Sequence, residues 1–215
     1  MISVKDFSKK YRKKVIIEPS SFDIRSNRIT FLMGENGAGK TTLIKCLAGL
    51  EEYQGDIRYG EGRKSTLVIW DDTPFYSNLT GLQNLYILGE EKQSKDRMHL
   101  FAEAYLSKET LKRKVQTYSY GQRKRLALAL VEILKPDYLF MDEITNGLDY
   151  DTIRFLKTRI TKWAEKMTLF LTGHHLDFYN ELVEDVLFIR EKHIIFIKDF
   201  RNREKELEHI YDYLS

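Results

Sequence analysis

The stretch Phe31-Leu-Met-Gly-Glu-Asn-Gly-Ala-Gly-Lys-Thr-Thr42 constrains this chain more than any other, because it sets a glycine-rich turn between a short apolar run and an amphipathic helix. Gly34, four residues, then Gly39, Lys40 and Thr41 is the spacing of a phosphate-binding loop, or P-loop. Glycines let backbone N–H groups turn inward around an anion. A helix beginning near Lys40 aims its partly positive end at the same point, and the lysine adds a full charge. Thr41 supplies a small hydroxyl suited to Mg²⁺ beside the phosphates. A plain surface turn accounts neither for Lys-Thr at the set distance nor for the apolar run Ile29 to Met33 leading in. The expected ligand is a nucleoside triphosphate, cradled by Gly34, Asn36, Gly37, Ala38, Gly39, Lys40, Thr41 and Thr42.

The rest of the composition narrows the context. With 215 residues the chain has the length of about one to one and a half typical domains and can bury a real core. A formal net charge of +3 leaves no global field of the kind that draws a protein to nucleic acid. The single cysteine, Cys46, cannot form an internal disulfide and reads as a small apolar residue packed behind the P-loop, so a reducing compartment is expected. No N-terminal signal region is present and no run approaches the roughly 18 apolar residues that span a bilayer. Any membrane role is therefore expected to come through a partner.

Along the chain, Ile2 to Phe7, Val15 to Ile17 and Ser20 to Ile24 read as strands of an antiparallel flap. Tyr11 stands in the hairpin between them, where an aromatic ring could stack on a nucleotide base. A helix over Thr41 to Leu50 is expected to close at Gly49. Strands at Asp56 to Tyr59 and Thr66 to Trp70 follow, the second delivering Asp71-Asp72 to a loop. From Leu79 to about Lys114 the spacing is helical throughout and reads as an inserted helical subdomain. Tyr118-Ser-Tyr-Gly-Gln-Arg-Lys-Arg then opens an amphipathic helix with Ser119 at its N-cap. Tyr138-Leu-Phe-Met-Asp142-Glu143 is an apolar strand that ends in two carboxylates. Asp142 is placed to hold Mg²⁺ and Glu143 to orient and deprotonate water, the two tasks that phosphoryl transfer to water requires. Thr152 to Trp163 is helical, and the strand Thr168 to Thr172 leads to His174 and His175. Val186 to Ile189 and Ile194 to Ile197 form a hairpin. Asp199 is expected to cap a last helix with Leu207, Ile210, Tyr211 and Leu214 on one face.

These motifs stand in the order and spacing of the ATP-binding cassette (ABC) ATPases, and the resemblance covers the chain from Tyr11 to His174. Gly34 to Thr41 resembles the Walker A motif, Tyr138 to Glu143 the Walker B motif with its catalytic glutamate, and Asn146 to Asp149 the D-loop. Ser119 to Gln122 is similar to the signature that separates this family from other P-loop enzymes. His174 matches the switch histidine, and Tyr11 the adenine-stacking aromatic. The resemblance implies an α/β P-loop NTPase fold: a RecA-like, mostly parallel core sheet, an N-terminal antiparallel β-subdomain and an inserted α-helical subdomain at about residues 79–134, all within a single ATPase domain over 1–215. It implies ATP and Mg²⁺ as cofactors, with Lys40, Glu143 and His174 in catalysis and Thr41, Asp142 and Asp71 around the metal. Two cassettes, identical or different, would face each other head to tail. Ser119, Gly121 and Gln122 would then meet the nucleotide of the other cassette, and Asp149 of the D-loop is also among the residues expected to bind nucleotide.

The implied partner is an integral membrane transporter subunit, which would hold the chain on the cytoplasmic face of the cell membrane, with no nucleic acid involved. Export is favoured because the chain is short, carries no C-terminal regulatory domain and has Leu79-Thr-Gly-Leu-Gln-Asn-Leu85 after the Asp71 loop. The alternative is a cassette ATPase acting on ribosomes or DNA, which usually has two fused cassettes or a long coiled-coil insertion. Three positions depart from the family pattern. Tyr120 replaces the first signature glycine, and Asn27 stands in a turn where Gly is frequent. Asp71 replaces the usual Q-loop glutamine and is expected beside Asp142 and Glu143, where like charges would raise its pKa.

Overall fold

The computed structural model describes residues 1–60, 65–89, 92–202 and 206–214. The Leu214 side chain lies outside what is described. The chain opens on two long paired strands, β1 (Ile2–Tyr11) and β2 (Lys14–Ile24). Ile2 and Val4 are buried on one face, but the next buried apolar residue is Phe7, which breaks the two-residue period. A bulge explains the slip: Asp6 takes φ +49° and the register shifts between Val4 and Phe7. With the slip absorbed there, β1 continues past Phe7 to Tyr11, further than the sequence pattern indicated. A third strand, β4 (Gln54–Tyr59), completes this antiparallel sheet in the order β2-β1-β4.

The second sheet is built from β3 (Ile29–Gly34), β5 (Thr66–Ile69), β6 (Tyr138–Met141), β7 (Thr168–Leu171), β8 (Asp185–Arg190) and β9 (His193–Ile197). Its order is β5-β6-β7-β3-β8-β9; the first five are parallel and β9 pairs antiparallel at the edge. Continuous apolar runs such as Ile29 to Met33 mark strands covered on both faces. Alternate residues divide accordingly. Phe31, Met33, Leu139, Met141, Leu169 and Leu171 face one core, while Leu32, Phe140, Phe170 and Leu187 face the other, together with Leu43 and Leu47 of α1 (Lys40–Leu47) and Ile2, Val4 and Phe7 of β1.

Between β5 and β6 the chain runs through helices α2 (Gly81–Gly89), α3 (Lys95–Glu103), α4 (Lys108–Leu111) and α5 (Tyr120–Leu134). Leu126, Leu130 and Ile133 of α5 are buried in the same core as Leu85, Met98 and Leu111. The remaining helices are α6 (Tyr150–Ala164), α7 (Leu176–Asn180) and α8 (Leu207–Leu214). A mostly parallel sheet joined to an antiparallel one, with helices inserted between two parallel strands, is the α/β architecture that the motifs implied. Two local expectations differ in outcome. Asn27 does take the left-handed backbone, at φ +54°. Asp199 does not cap the last helix: it precedes a single 3-10 turn at Phe200–Asn202, its carboxylate accepts from Arg25 Nη2 at 2.9 Å and Arg28 Nη1 at 3.2 Å, and α8 begins only at Leu207. With α8 starting at Leu207, Asp199 lies too far upstream to reach its first-turn N–H groups, and its carboxylate is taken by the two arginines instead.

Parallel alignment places the C-terminal ends of β3, β5, β6 and β7 along one edge. There β3 gives the P-loop, β5 leads to Asp71, β6 to Asp142 and Glu143, and β7 to Thr172 and His174. That edge is where open α/β sheets hold their ligands.

Candidate active site

Gly34 ends β3 at φ +146°, and a Cβ there would stand 2.7 Å from the Ile189 carbonyl oxygen of the paired β8. Gly39 at φ +110° packs against Ile16, 2.9 Å from where its Cβ would be, and leads straight into α1. Only glycine fits either place. Lys40 folds back over the loop, its Nζ donating to the Gly34 carbonyl at 2.7 Å and the Glu35 carbonyl at 3.0 Å. Burial lowers its pKa against the opposing pull of Glu143 and Asp142. Asn36, Gly37 and Ala38 line a cavity of about 430 Å³ with Ile16 and the β8–β9 turn. Gly34, Asn36 and Lys40 line another of about 250 Å³ with His174 and Tyr211. Thr42 is half-buried in the first turn of α1.

Asp142 sits across this loop. Its Oδ2 accepts from Thr41 Oγ1 at 2.9 Å and its Oδ1 from Thr172 Oγ1 at 2.6 Å. The same Thr172 oxygen accepts the Glu143 N–H at 3.0 Å, so one buried hydroxyl sets both carboxylate-bearing residues. Glu143 is held in the left-handed region at φ +52°. Its Oε1 lies 3.1 Å from His174 Nε2, and its Oε2 accepts from Asn146 Nδ2 at 2.7 Å. The Thr41 hydroxyl beside the Asp142 carboxylate is a pair of hard oxygens, the donor set Mg²⁺ prefers. The structure thus brings together Lys40, Thr41, Asp142, Glu143 and His174.

Asp71 goes elsewhere. Its Oδ1 accepts from the Tyr120 hydroxyl at 2.5 Å and from Lys124 Nζ at 3.0 Å. Burial raises its pKa, but the Tyr120 and Lys124 hydrogen bonds and the Lys124 charge outweigh that, and the net direction is down. The expected cluster of three repelling carboxylates, with Asp71 among the metal ligands, is therefore replaced by an ion pair. The reason is that Tyr120 and Lys124, one helical turn apart on α5, both reach Asp71.

Ser119 caps α5 in a reciprocal box, its hydroxyl accepting from the Gln122 N–H at 3.2 Å while Gln122 Oε1 accepts from the Ser119 N–H at 3.0 Å. Asp149 caps α6, accepting from the Thr152 N–H at 2.7 Å, and hydrogen bonding from the Thr152 side chain and then its N–H holds its pKa down. Ser119, Gly121, Gln122 and Asp149 line a separate cleft of about 510 Å³ with Arg125 and no P-loop residue. Tyr11 is also apart from the P-loop cavities. Its ring lies under Lys9 Nζ at 4.5 Å and its hydroxyl is bonded to Glu51, beyond the far end of α1. Thr172, Lys124 and Tyr211 were not among the site residues that the sequence pointed to, Tyr211 being expected only as part of the apolar face of the last helix. Thr172 alone had a signal, a polar residue closing an apolar strand just before Gly173 and His174.

A parallel sheet whose strand ends deliver a glycine loop, its lysine and a threonine–aspartate pair backed by a held glutamate defines a P-loop nucleoside-triphosphate hydrolase. The chain matches the ABC transporter family over residues 17–146 and belongs to that family. It is 31% identical over 225 residues to the lantibiotic transport ATP-binding protein SrtF of Streptococcus pyogenes, covering 99% of this chain and 96% of that one. It is 30% identical over 211 residues to the bacitracin transport ATP-binding protein BcrA of Enterococcus faecalis, covering 91% of this chain and 68% of that one. A solved ATP-binding subunit of an ABC transporter shares the fold with a TM-score of 0.89 and 22% identity, over 100% of this chain and 99% of that one. The protein is an ATP-binding subunit of an ABC transporter, and an ATPase. Among the described residues no helix is long and apolar enough to cross a membrane.

Proposed function

We propose that this subunit powers export through a separate integral membrane subunit, from the cytoplasmic face of the cell membrane. The likeness to subunits named for lantibiotic and bacitracin transport supports that direction. So does the stretch Leu79 to Leu85 that enters α2 after the Asp71 loop. The 215 residues act as one ATPase domain with residues 79–134 as its helical part. The P-loop N–H groups from Gly34 to Thr42 and the Lys40 ammonium hold the phosphates. Thr41 and Asp142 would hold Mg²⁺, which neutralises phosphate charge when bound. Glu143 takes the proton of the attacking water, with His174 and Asn146 fixing the carboxylate that does so. Tyr11 supports the base only if its ring leaves Glu51. Ser119, Gly121, Gln122 and Asp149 act on the nucleotide of a second cassette.

One observation carries the hydrolytic reading: Glu143 is held at both carboxylate oxygens directly beside the Thr41–Asp142 pair. Lys40→Ala and Glu143→Gln test it, the first removing phosphate charge and the second water activation. Lys40→Ala should abolish ATP binding. Glu143→Gln should keep ATP affinity and lose about 10²- to 10⁴-fold in turnover, the usual range for general-base catalysis. A Glu143→Gln protein that loses ATP affinity as badly as Lys40→Ala assigns Glu143 to binding or folding instead of chemistry.

A further inference from the structure

A lysine on the signature helix is the least expected member of this edge. Lys124 is 3% exposed at its side chain, and its Nζ reaches four acceptors. Besides Asp71 Oδ1 at 3.0 Å, they are the main-chain carbonyls of Glu143 at 3.0 Å, Ile144 at 3.1 Å and Asn146 at 2.8 Å. Those carbonyls belong to the turn that follows β6, and that turn sets the Glu143 carboxylate. A non-glycine residue at φ +52° is unfavourable by itself and persists where its surroundings over-determine it. Three carbonyls converging on one buried ammonium are such surroundings. A buried ammonium in turn needs a counter-charge, and Asp71 is that counter-charge. Tyr120 closes the cluster. Its hydroxyl binds Asp71, its ring lies 4.7 Å from Lys124 Nζ, and it packs on Gly147, where a Cβ would stand 2.8 Å from the ring.

We infer that Lys124 is a positioning residue for ATP hydrolysis: by gathering the carbonyls of Glu143, Ile144 and Asn146 it fixes the backbone from which Glu143 and its partner Asn146 project, with Asp71 as its counter-ion. The inference rests on Glu143 acting as the base. It also joins two departures from the family pattern in one device, since Tyr120 and Asp71 meet on Lys124. An ammonium suits this place because its three donors can point toward a ring of carbonyls, which a planar amide cannot match.

The test is the steady-state ATPase and ATP affinity of Lys124→Met, Lys124→Arg, Asp71→Asn and Glu143→Gln, plus the double variant Lys124→Met/Glu143→Gln. Lys124→Met keeps an unbranched apolar stem of nearly the same length and removes the donors. It should lower kcat by about 10²-fold, the scale of a displacement near 1 Å in a reacting group, with ATP KM within about twofold. Lys124→Arg keeps the charge but is longer and planar, so it should recover only part of that loss, about two- to tenfold. In the Glu143→Gln background Lys124→Met should have no further effect, because the group it positions is gone. Lys124→Met with parental kcat overturns the inference, as does a fall in kcat matched by a rise in ATP KM or an additive double variant. If Lys124→Met does not fold, Asp71→Asn decides: a several-fold lower kcat at unchanged KM supports the inference, and parental kcat overturns it. Glu143→Gln alone separates the two levels, since full turnover there sinks the base assignment itself whatever Lys124 does.

Discussion

The Asp71 carboxylate stands between two opposing pressures: burial favours its neutral form, and the Tyr120 hydroxyl and Lys124 ammonium favour the anion and prevail. With the folded pKa below the unfolded one, the pair contributes stability that is fully present above the unfolded pKa near 4 and is lost as pH falls through the folded value. Asp71→Asn should therefore melt below the parent protein at pH 7. That gap should narrow in melts taken below about pH 4; a gap of constant size from pH 7 to pH 3 would show that the charge on Asp71 contributes nothing. Cys46 makes a contrasting case. Burial pushes its thiol up to about 11, so a maleimide should label it at neutral pH only after denaturant unfolds the chain. Rapid labelling of the native protein would contradict the buried position. At this scale the sequence was readable where chemistry and local pattern coincide, as in the two carboxylates that close the run Tyr138 to Met141. It was unreadable where neighbours diverge. Arg123, Lys124 and Arg125 look like one basic cluster, yet Arg123 binds the Tyr118 carbonyl, Lys124 turns into the core and Arg125 reaches Thr152. Successive residues on a helix point about 100° apart, and only the packing around α5 says which one is inward.

Elements show the same division. The N-cap of α5 was visible as Ser119 opening an amphipathic helix, the return bond from Gln122 was not, and the stability contribution of the cap can be separated from any role toward a nucleotide. Ser119→Ala should destabilise the isolated subunit by about 1 kcal/mol through the lost cap, as read by urea unfolding. The same variant should leave monomeric ATP affinity unchanged, because no P-loop residue lines the Ser119 cleft. A loss of monomeric affinity would place Ser119 beside its own nucleotide. The bulge in β1 was not visible. It depends on Gly55 in β4, whose Cβ would stand 2.4 Å from the Asp6 carbonyl oxygen, a pairing between strands set by tertiary contact and not by local propensity. Gly55→Ala should therefore cost stability, of order 1–3 kcal/mol for a strained backbone, without altering ATP KM. The parallel strands were the most legible elements, because burial on both faces writes itself as an unbroken apolar run.

At the scale of the whole molecule, the separation of the two ligand-facing surfaces argues for assembly. The P-loop cavities and the Ser119–Asp149 cleft share no lining residue, which is what the proposed second cassette would account for. Two copies arranged head to tail would pair each cleft with the P-loop of the other, and nucleotide held between them would favour the closed pair by its differential contacts. Glu143→Gln protein, which should bind ATP without consuming it, isolates that step. It should elute as a dimer in sizing runs with ATP and as a monomer without it, and the dimer should vanish when Lys40→Ala is added. A monomer that persists at saturating ATP would overturn self-pairing and require either a different second cassette or a signature that Tyr120 has disabled. Tyr120→Gly tells these apart, because Tyr120 packs on Gly147 and binds Asp71 at the mouth of α5. ATP-dependent dimers that appear only in the glycine variant assign the loss to Tyr120. Monomer in both variants leaves the second cassette as the missing component, to be supplied by another chain.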